Sequence, residues 1–215
     1  LILRNTYNRR KEAAGKFSAE LSSNALLDEN NPFTMKHAIG LDQWTNAVIG
    51  FPQMIRRRDT PQPITFGIRI RVVEFKGNAL LGFLPLEMAL KYKEEGTYYS
   101  LFQCPRAYHI TYWGSFHKGQ DQLGTPFEGD ILKVDGNQVE MLLDVGRQQV
   151  HVRRGFDRTL AASKIYDVQL EEDVVYCWAI SAGMEGSEFV VLKAWAFWND
   201  GDETGQEPEW EYLNK

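Results

Sequence analysis

The chain has 215 residues, of which 43% are apolar, and this is enough to bury one sizeable core. Its 24 basic and 29 acidic side chains leave a net charge of −5, whereas nucleic-acid binders usually carry a basic excess, so we expect no nucleic-acid partner. No apolar run approaches the roughly 18 residues that a membrane span needs, so we expect no membrane partner. Two cysteines are too few for a disulfide framework, which favours an intracellular, cytoplasmic location.

Residues 1–31 differ from the rest because they begin with a basic stretch and show helical spacing. The apolar side chains that recur at this spacing are Leu3, Tyr7, Ala14, Phe17 and Leu21. The spacing predicts a partly helical N-terminal extension over 1–31 that packs on the main domain. Residues 30–32, Asn-Asn-Pro, end it.

From Phe33 onward the hydrophobic period changes from helical spacing to two. The clearest strand covers residues 64–75, and the apolar side chains on its one face are Ile64, Phe66, Ile68, Ile70 and Val72. A turn at 76–78 predicts that residues 78–85 return as the hairpin partner of this strand. Residues 86–95 are predicted to form one short helix, which Gly96 ends.

Alternating or apolar runs predict the remaining strands of the domain. They cover residues 98–103, 107–113, 129–134, 138–144, 147–155, 174–181 and 188–198. Residues 114–125 are predicted to be a polar loop, and the turns at 135–137 and 182–187 are predicted to close two hairpins. These elements indicate an all-β protein, with a two-sheet antiparallel β-sandwich over 32–198 and an acidic tail over 199–215.

A particular order of motifs lies between residues 124 and 192. Gly129-Asp130 begins one apolar segment, Asp144 ends the next, and the sequence AISAG (179–183) precedes the last strand. This order resembles that of the SPRY domain family, and residues 64–85 and 107–119 are similar to the family's opening strands and aromatic strand. Arg154-Gly155 departs from the family's usual Asn-Gly. Because each motif alone is weak, the resemblance rests on their order and spacing.

The resemblance implies a SPRY or concanavalin-like sandwich that recognises a protein or peptide with loops at one edge and has no catalytic activity. Such domains usually belong to a larger protein, scaffold or complex. By resemblance and by side-chain chemistry, the expected partner-binding residues are Phe51, Arg56, Arg57, Tyr98, Tyr99 and Met184. The rings and the methionine would anchor the partner and the arginines would add charge complementarity. No cofactor and no metal are implied.

Three other functions are weighed against this one. A carbohydrate-binding, lectin-like module would stack a sugar ring on Trp113 or Tyr99. A structural subunit of a large assembly would use the basic start and the acidic tail as docking arms. An enzyme is least expected, since Asp130 of the Glu128–Asp130 pair matches a turn position of the resemblance and Cys177 lies within an apolar strand.

Overall fold

A computed structural model describes residues 15–37, 43–50, 53–56, 63–96, 99–156 and 159–198. Within these ranges the strands are β1 (Ala25–Leu27), β2 (Thr34–His37), β3 (Thr45–Val48), β4 (Met54–Ile55), β5 (Pro63–Glu74), β6 (Ala79–Pro85), β7 (Tyr108–Thr111), β8 (Phe116–Lys118), β9 (Asp121–Gln122), β10 (Asn137–Asp144), β11 (Gln149–Phe156), β12 (Thr159–Asp167), β13 (Val175–Ala182) and β14 (Glu188–Trp198). The helices are α1 (Leu86–Glu94) and the 3-10 helix Leu101–Gln103.

The described strands form two antiparallel seven-stranded sheets. Sheet A has the order β1-β2-β14-β5-β10-β11-β12, and sheet B has the order β3-β13-β6-β7-β8-β9, with β4 also paired to β13. The main core lies between the sheets and takes Phe66 and Met141 from sheet A and Phe83 and Trp178 from sheet B. The predicted all-β, two-sheet antiparallel sandwich is therefore confirmed.

The longest predicted strand shows how the period of two places its side chains. In β5, Phe66, Ile68 and Val72 are buried in the core between the sheets, while Arg69 is half-buried and Arg71 is exposed. This is the alternation expected for a strand with one face on a core. The prediction for this strand is confirmed to within one residue at each end.

Helix α1 follows β6 directly and lies on the outer face of sheet B. Pro85 occupies the position before the first helical residue, Glu87 lies in the first turn, and Gly96 adopts a left-handed φ of +62° just beyond the end. An acidic first turn and a glycine after the last turn are typical helix boundaries. The predicted helix is confirmed, and no helix among the described residues is long and apolar enough to cross a membrane.

Two predicted hairpins are wrong because their strands belong to different sheets. Strand β5 lies in sheet A and β6 in sheet B, and the same holds for β14 and β13. The turns at 76–78 and 183–187 therefore carry the chain across the core from one sheet to the other. A tight turn marks where the chain reverses, but the packing of the two apolar faces decides which strand lies alongside.

Several shorter predictions also differ from the structure. Residues 129–134 form no strand, because consecutive Ile131 and Leu132 are both buried and both donate their N–H to the carbonyl of Tyr112. The turn at 135–137 therefore joins no hairpin, and β10 pairs with β5 and β11 instead. The predicted polar loop contains the short hairpin β8–β9, and the stretch after residue 156 contains the edge strand β12.

Residues 15–31 of the predicted N-terminal extension pack on the sandwich, but the predicted helix is absent from them. Residues 15–31 contain no helix, and Gly15 has a φ of +81° that a right-handed helix does not allow. Phe17 and Leu21 are buried because the segment lies against the sandwich, with β-bridges from Phe17 to Ile49 and from Ser23 to Asn46. Residues 1–14 and the acidic tail 199–215 lie outside the described residues.

Candidate functional site

A short segment, residues 99–104, crosses the outer face of sheet B, and we call it the strap. It was predicted as a strand from 98, but it folds as the 3-10 helix flanked by extended residues, and Ser100 caps that helix. The N–H of Ser100 donates to the side-chain oxygen of Gln103 at 2.7 Å, so this backbone group is not available for strand pairing. Leu101 packs on Leu80 and Leu84 in a second, smaller core outside the main one.

A buried polar network holds the strap to sheet B. Asn46 donates its side-chain N–H to the carbonyl of Tyr99, and the hydroxyl of Ser181 donates to the amide oxygen of Asn46. The N–H of Leu101 donates to the oxygen of Ser181 at 3.1 Å. Asn46 and Ser181 are fully buried, so these bonds form away from water. The network therefore keeps the strap in a defined position.

Beside the strap, at one end of the sandwich, a groove of about 270 Å³ opens to solvent. It is lined by Trp44, Asn78, Leu80, Ser100, Phe102, Gln103, Tyr112 and Trp113, and we call it the Trp44–Trp113 groove. Four of these side chains are aromatic, and none of the described residues that line it is charged. Aromatic walls with a few neutral polar groups are typical of ligand-binding sites.

The aromatic walls are held in place by their neighbours. Trp113 is 45% exposed, yet its indole N–H donates to the hydroxyl of Ser115 at 3.0 Å, and its ring meets Tyr112 edge to face at 4.5 Å between centroids. Tyr112 also contacts Phe75 at 5.5 Å. The rings therefore present fixed faces to solvent, and these side chains would lose little conformational entropy when a partner binds them.

The turns that connect the two sheets at this end provide packing sites for two side chains, Trp44 and Met184. The ring of Trp44 lies over Gly183, where an added Cβ would come within 3.2 Å of it. Met184 is 48% exposed and lies over Gly77, where a Cβ would meet its sulfur at 2.0 Å. The N–H of Gly183 donates to the carbonyl of Asn78 at 2.9 Å, so both inter-sheet turns support the same surface.

The structure separates the predicted site residues. Met184 lies on the loop after β13, at the same end of the sandwich as the groove. Arg56 follows β4, which pairs with the beginning of β13, so it lies at the opposite end of the sandwich beside Glu172. Tyr99, which the sequence analysis expected to anchor a partner, is only 4% exposed, because Asn46 holds its carbonyl and its ring packs on Tyr92. Phe51, Arg57 and Tyr98 lie outside the described residues.

The sequence analysis named Trp113 only for the lectin-like alternative, and it missed the other aromatic residues that line the groove. Tyr112 and Trp113 are consecutive aromatics just before Gly114, and two neighbouring side chains of a strand end cannot both face the core. That pattern could have identified this wall. No sequence pattern indicates Trp44 or Phe102, because both reach the groove through long-range packing. Trp44 packs on Gly183, and Phe102 is carried there by the strap.

The buried carboxylate Glu140 and the two cysteines are explained by their structural surroundings. Glu140 is buried between two guanidinium groups, and accepts hydrogen bonds from Arg69 at 3.0 Å and from Arg153 at 3.2 Å. Burial raises the pKa of the Cys177 thiol to about 12 and also raises that of Cys104, so both stay protonated and unreactive at neutral pH. Among the described residues, no group of three potential ligands could hold a metal ion.

Under Phe102 lies a pair of stacked histidines. The rings of His109 and His117 are 5.4 Å apart and nearly parallel, and Phe102 contacts both edge to face. His109 is fully buried, and neither of its ring nitrogens has a hydrogen-bond partner within the described part of the chain. Burial, with a smaller contribution from His117, lowers the pKa of His109 from 6.5 to about 3.

This lowered pKa predicts a loss of stability in acid. The unfolded chain takes up a proton on His109 near pH 6.5, whereas the folded chain does so only near pH 3, so the stability is complete above 6.5 and falls as the pH drops towards 3. Between pH 7 and pH 5, His109 should lower the free energy of unfolding by about 2 kcal/mol, and urea denaturation of wild type and His109→Phe measures this. If both proteins lose the same stability, His109 is not the responsible group.

Comparison with solved structures identifies proteins of the same fold. The SPRY domain of human HERC1 superposes with a TM-score of 0.58 at 8% identity, covering 82% of this chain and 97% of that one. The PSpry domain of TRIM65 gives 0.55 at 9%, covering 86% and 98%. Peanut lectin, solved with a nine-residue peptide, gives 0.53 at 9%, covering 85% and 96%.

No protein-family model and no curated protein sequence matches the chain. At these identities the structural likeness shows the fold, which is the lectin-like sandwich of SPRY domains. The resemblance that the order of motifs predicted is confirmed at that level.

Proposed function

We propose that the chain is a non-catalytic recognition module that binds a protein or peptide in the Trp44–Trp113 groove, within a larger intracellular protein or complex. The observation that carries this proposal is the set of fixed, solvent-facing aromatic rings with no charged neighbour among the described lining residues. Rigid aromatic side chains give a large contact area at low entropic cost and dominate binding hot spots. The SPRY-like fold supports the same proposal by analogy only.

Met184 extends this surface, because it lies exposed beside the groove on the loop that also carries Gly183. Arg56 does not, because it is at the other end of β13, where its guanidinium is 3.7 Å from the carboxylate of Glu172. A partner that fills the groove and extends along the loop after β13 would reach Met184 and leave Arg56 untouched. Arg56 is therefore a control position for mutagenesis.

Peptides selected from a random display library should bind the wild-type domain and lose at least about tenfold in affinity on Trp113→Ala or Trp44→Ala. The physical reason is the loss of a large ring contact at the centre of the interface. Isothermal titration calorimetry measures the affinity, and thermal melts establish that each variant is folded. Arg56→Ala is the control and should bind as wild type. Equal binding by wild type and Trp113→Ala would place the contact surface elsewhere.

A lectin-like function is the second candidate, because the exposed ring of Trp113 and the amides of Asn78 and Gln103 could also contact a sugar. Neutral oligosaccharides at millimolar concentration would then raise the melting temperature of wild type. The rise should be absent in Trp113→Ala. This measurement separates the two candidates.

A further inference from the structure

The chemistry of the Trp44–Trp113 groove limits what it can recognise. Proteins read peptides in a few recurring ways: by strand addition, by a helix in a groove, by an extended proline-rich segment, or by charge. Recognition of phosphorylated or acidic motifs uses a cluster of arginines. Because no described side chain that lines the groove is charged, these charged motifs have no counterpart here.

Strand addition is also unsuited to this surface, because the backbone around the groove is already paired. Leu80 lies on β6, which has β13 on one side and β7 on the other. The N–H of Tyr112 donates to Ala79 at 3.0 Å, and its carbonyl accepts the N–H of Ile131 at 2.9 Å. Along β6 and at Tyr112, within the described residues, a peptide would find no row of unpaired backbone groups of the kind that a sheet edge offers.

An amphipathic helix needs a longer surface than this one. A helix binds through anchors at i, i+4 and i+7, which extend about 10 Å along its axis, in a continuous apolar groove. Here the 270 Å³ groove has polar groups on its sides, namely Asn78, Ser100 and Gln103. It has room for one or two ring-sized side chains.

Recognition of an extended proline-rich segment matches what the groove offers. A polyproline II segment packs flat rings on aromatic side chains, and its carbonyls need donors, since proline has no N–H to pair with them. The amide oxygen of Gln103 accepts the N–H of Ser100 at 2.7 Å, which leaves its NH₂ group as the remaining donor. Asn78, on the opposite side, is exposed and offers a second amide.

We infer that the partner is an uncharged, proline-containing segment in the polyproline II conformation, with its proline rings between Trp44 and Trp113 and a carbonyl on Gln103. This inference rests on the proposed function and names the class of peptide. A polyproline II segment has low conformational entropy when free, and the rings of the groove are already fixed, so binding would cost little conformational entropy on either side.

The test compares two display libraries that differ only at two positions. One has a fixed Pro-x-x-Pro core with uncharged residues elsewhere, and the other has Ala-x-x-Ala at the same positions. We expect enrichment from the proline library alone. Selected peptides should lose at least about tenfold in affinity on Trp113→Ala, and a smaller factor, about threefold, on Gln103→Ala. Trp113→Phe, which keeps an aromatic face, should retain most of the affinity.

The possible contrary results are distinguishable. Equal enrichment from both libraries, with dependence on Trp113, would overturn the proline inference and leave the peptide-binding function standing. Enrichment from neither library, with neutral oligosaccharides bound in a Trp113-dependent way, would overturn both. Binding of proline peptides that is unchanged in Trp113→Ala and Trp44→Ala would also overturn the inference, because the site would then lie outside the groove.

Discussion

Replacing Gly82 with alanine is expected to destabilise the domain strongly. Gly82 lies on β6 opposite His109 of β7, and an added Cβ would lie 2.0 Å from the carbonyl oxygen of Tyr108 and 2.6 Å from the Cα of His109. Both are backbone atoms, so no side-chain rotation relieves the overlap and the two strands must separate. We expect the free energy of unfolding to fall by about 4 kcal/mol or more, measured by urea denaturation.

Gly96→Ala is the matched control, since among the described residues beyond its own chain neighbours no atom lies within 4 Å of its Cβ position. Its left-handed φ of +62° still adds strain, which should cost about 1 kcal/mol. If Gly82→Ala were no more destabilising than Gly96→Ala, the overlap between the added Cβ and the backbone of β7 would not occur, and this explanation would be wrong.

Replacing Asn46 with alanine should release the strap and weaken the groove together. Without this side chain, the carbonyl of Tyr99 and the hydroxyl of Ser181 lose their partner in a buried site. Because an unsatisfied buried polar group costs about 1–3 kcal/mol, we expect a total loss of about 3 kcal/mol in the free energy of unfolding. Hydrogen exchange at the N–H of Leu101 should accelerate, since that bond ends on Ser181.

The control for Asn46 is Asn78→Ala at the same end of the sandwich. Asn78 is exposed, and its contact with Gly183 is made by the backbone carbonyl, so the unfolding free energy should change by less than about 0.5 kcal/mol. Unchanged exchange at Leu101 in Asn46→Ala would mean that the polar network does not hold the strap.

The polar network gives a physical reason for one of the motifs. Ser181 lies in the segment 179–183 that suggested the family resemblance, and within β13 it is the residue that faces outward to bond the strap. A small hydroxyl is suited to this position because it can accept from the strap and donate to Asn46 at once. The motif therefore supports the groove, although no sequence pattern indicated that the groove exists.

The sequence by itself determined the elements whose side chains follow a long local period. Strands β5, β10, β13 and β14 and helix α1 lie within a few residues of their predicted ranges, since burial on one face requires alternation or helical spacing. The short β8 and β9 and the edge strand β12 were missed, because two or three residues show no period and an edge strand is paired on one side only. The all-β sandwich followed from the elements that were found.

Only the tertiary structure decided which elements lie together. Whether the turn at Gly77 or at Gly183 closes a hairpin or crosses to the other sheet depends on how two apolar faces pack, and local periodicity contains no information on that. At these turns Trp44 packs on Gly183 and Met184 packs on Gly77, whereas Arg56 lies at the other end of the sandwich. The side chain of Asn46 binds the carbonyl of Tyr99 and so fixes the strap on sheet B. The chain's residues determined the chemistry available for binding, and long-range packing determined which of them share a surface.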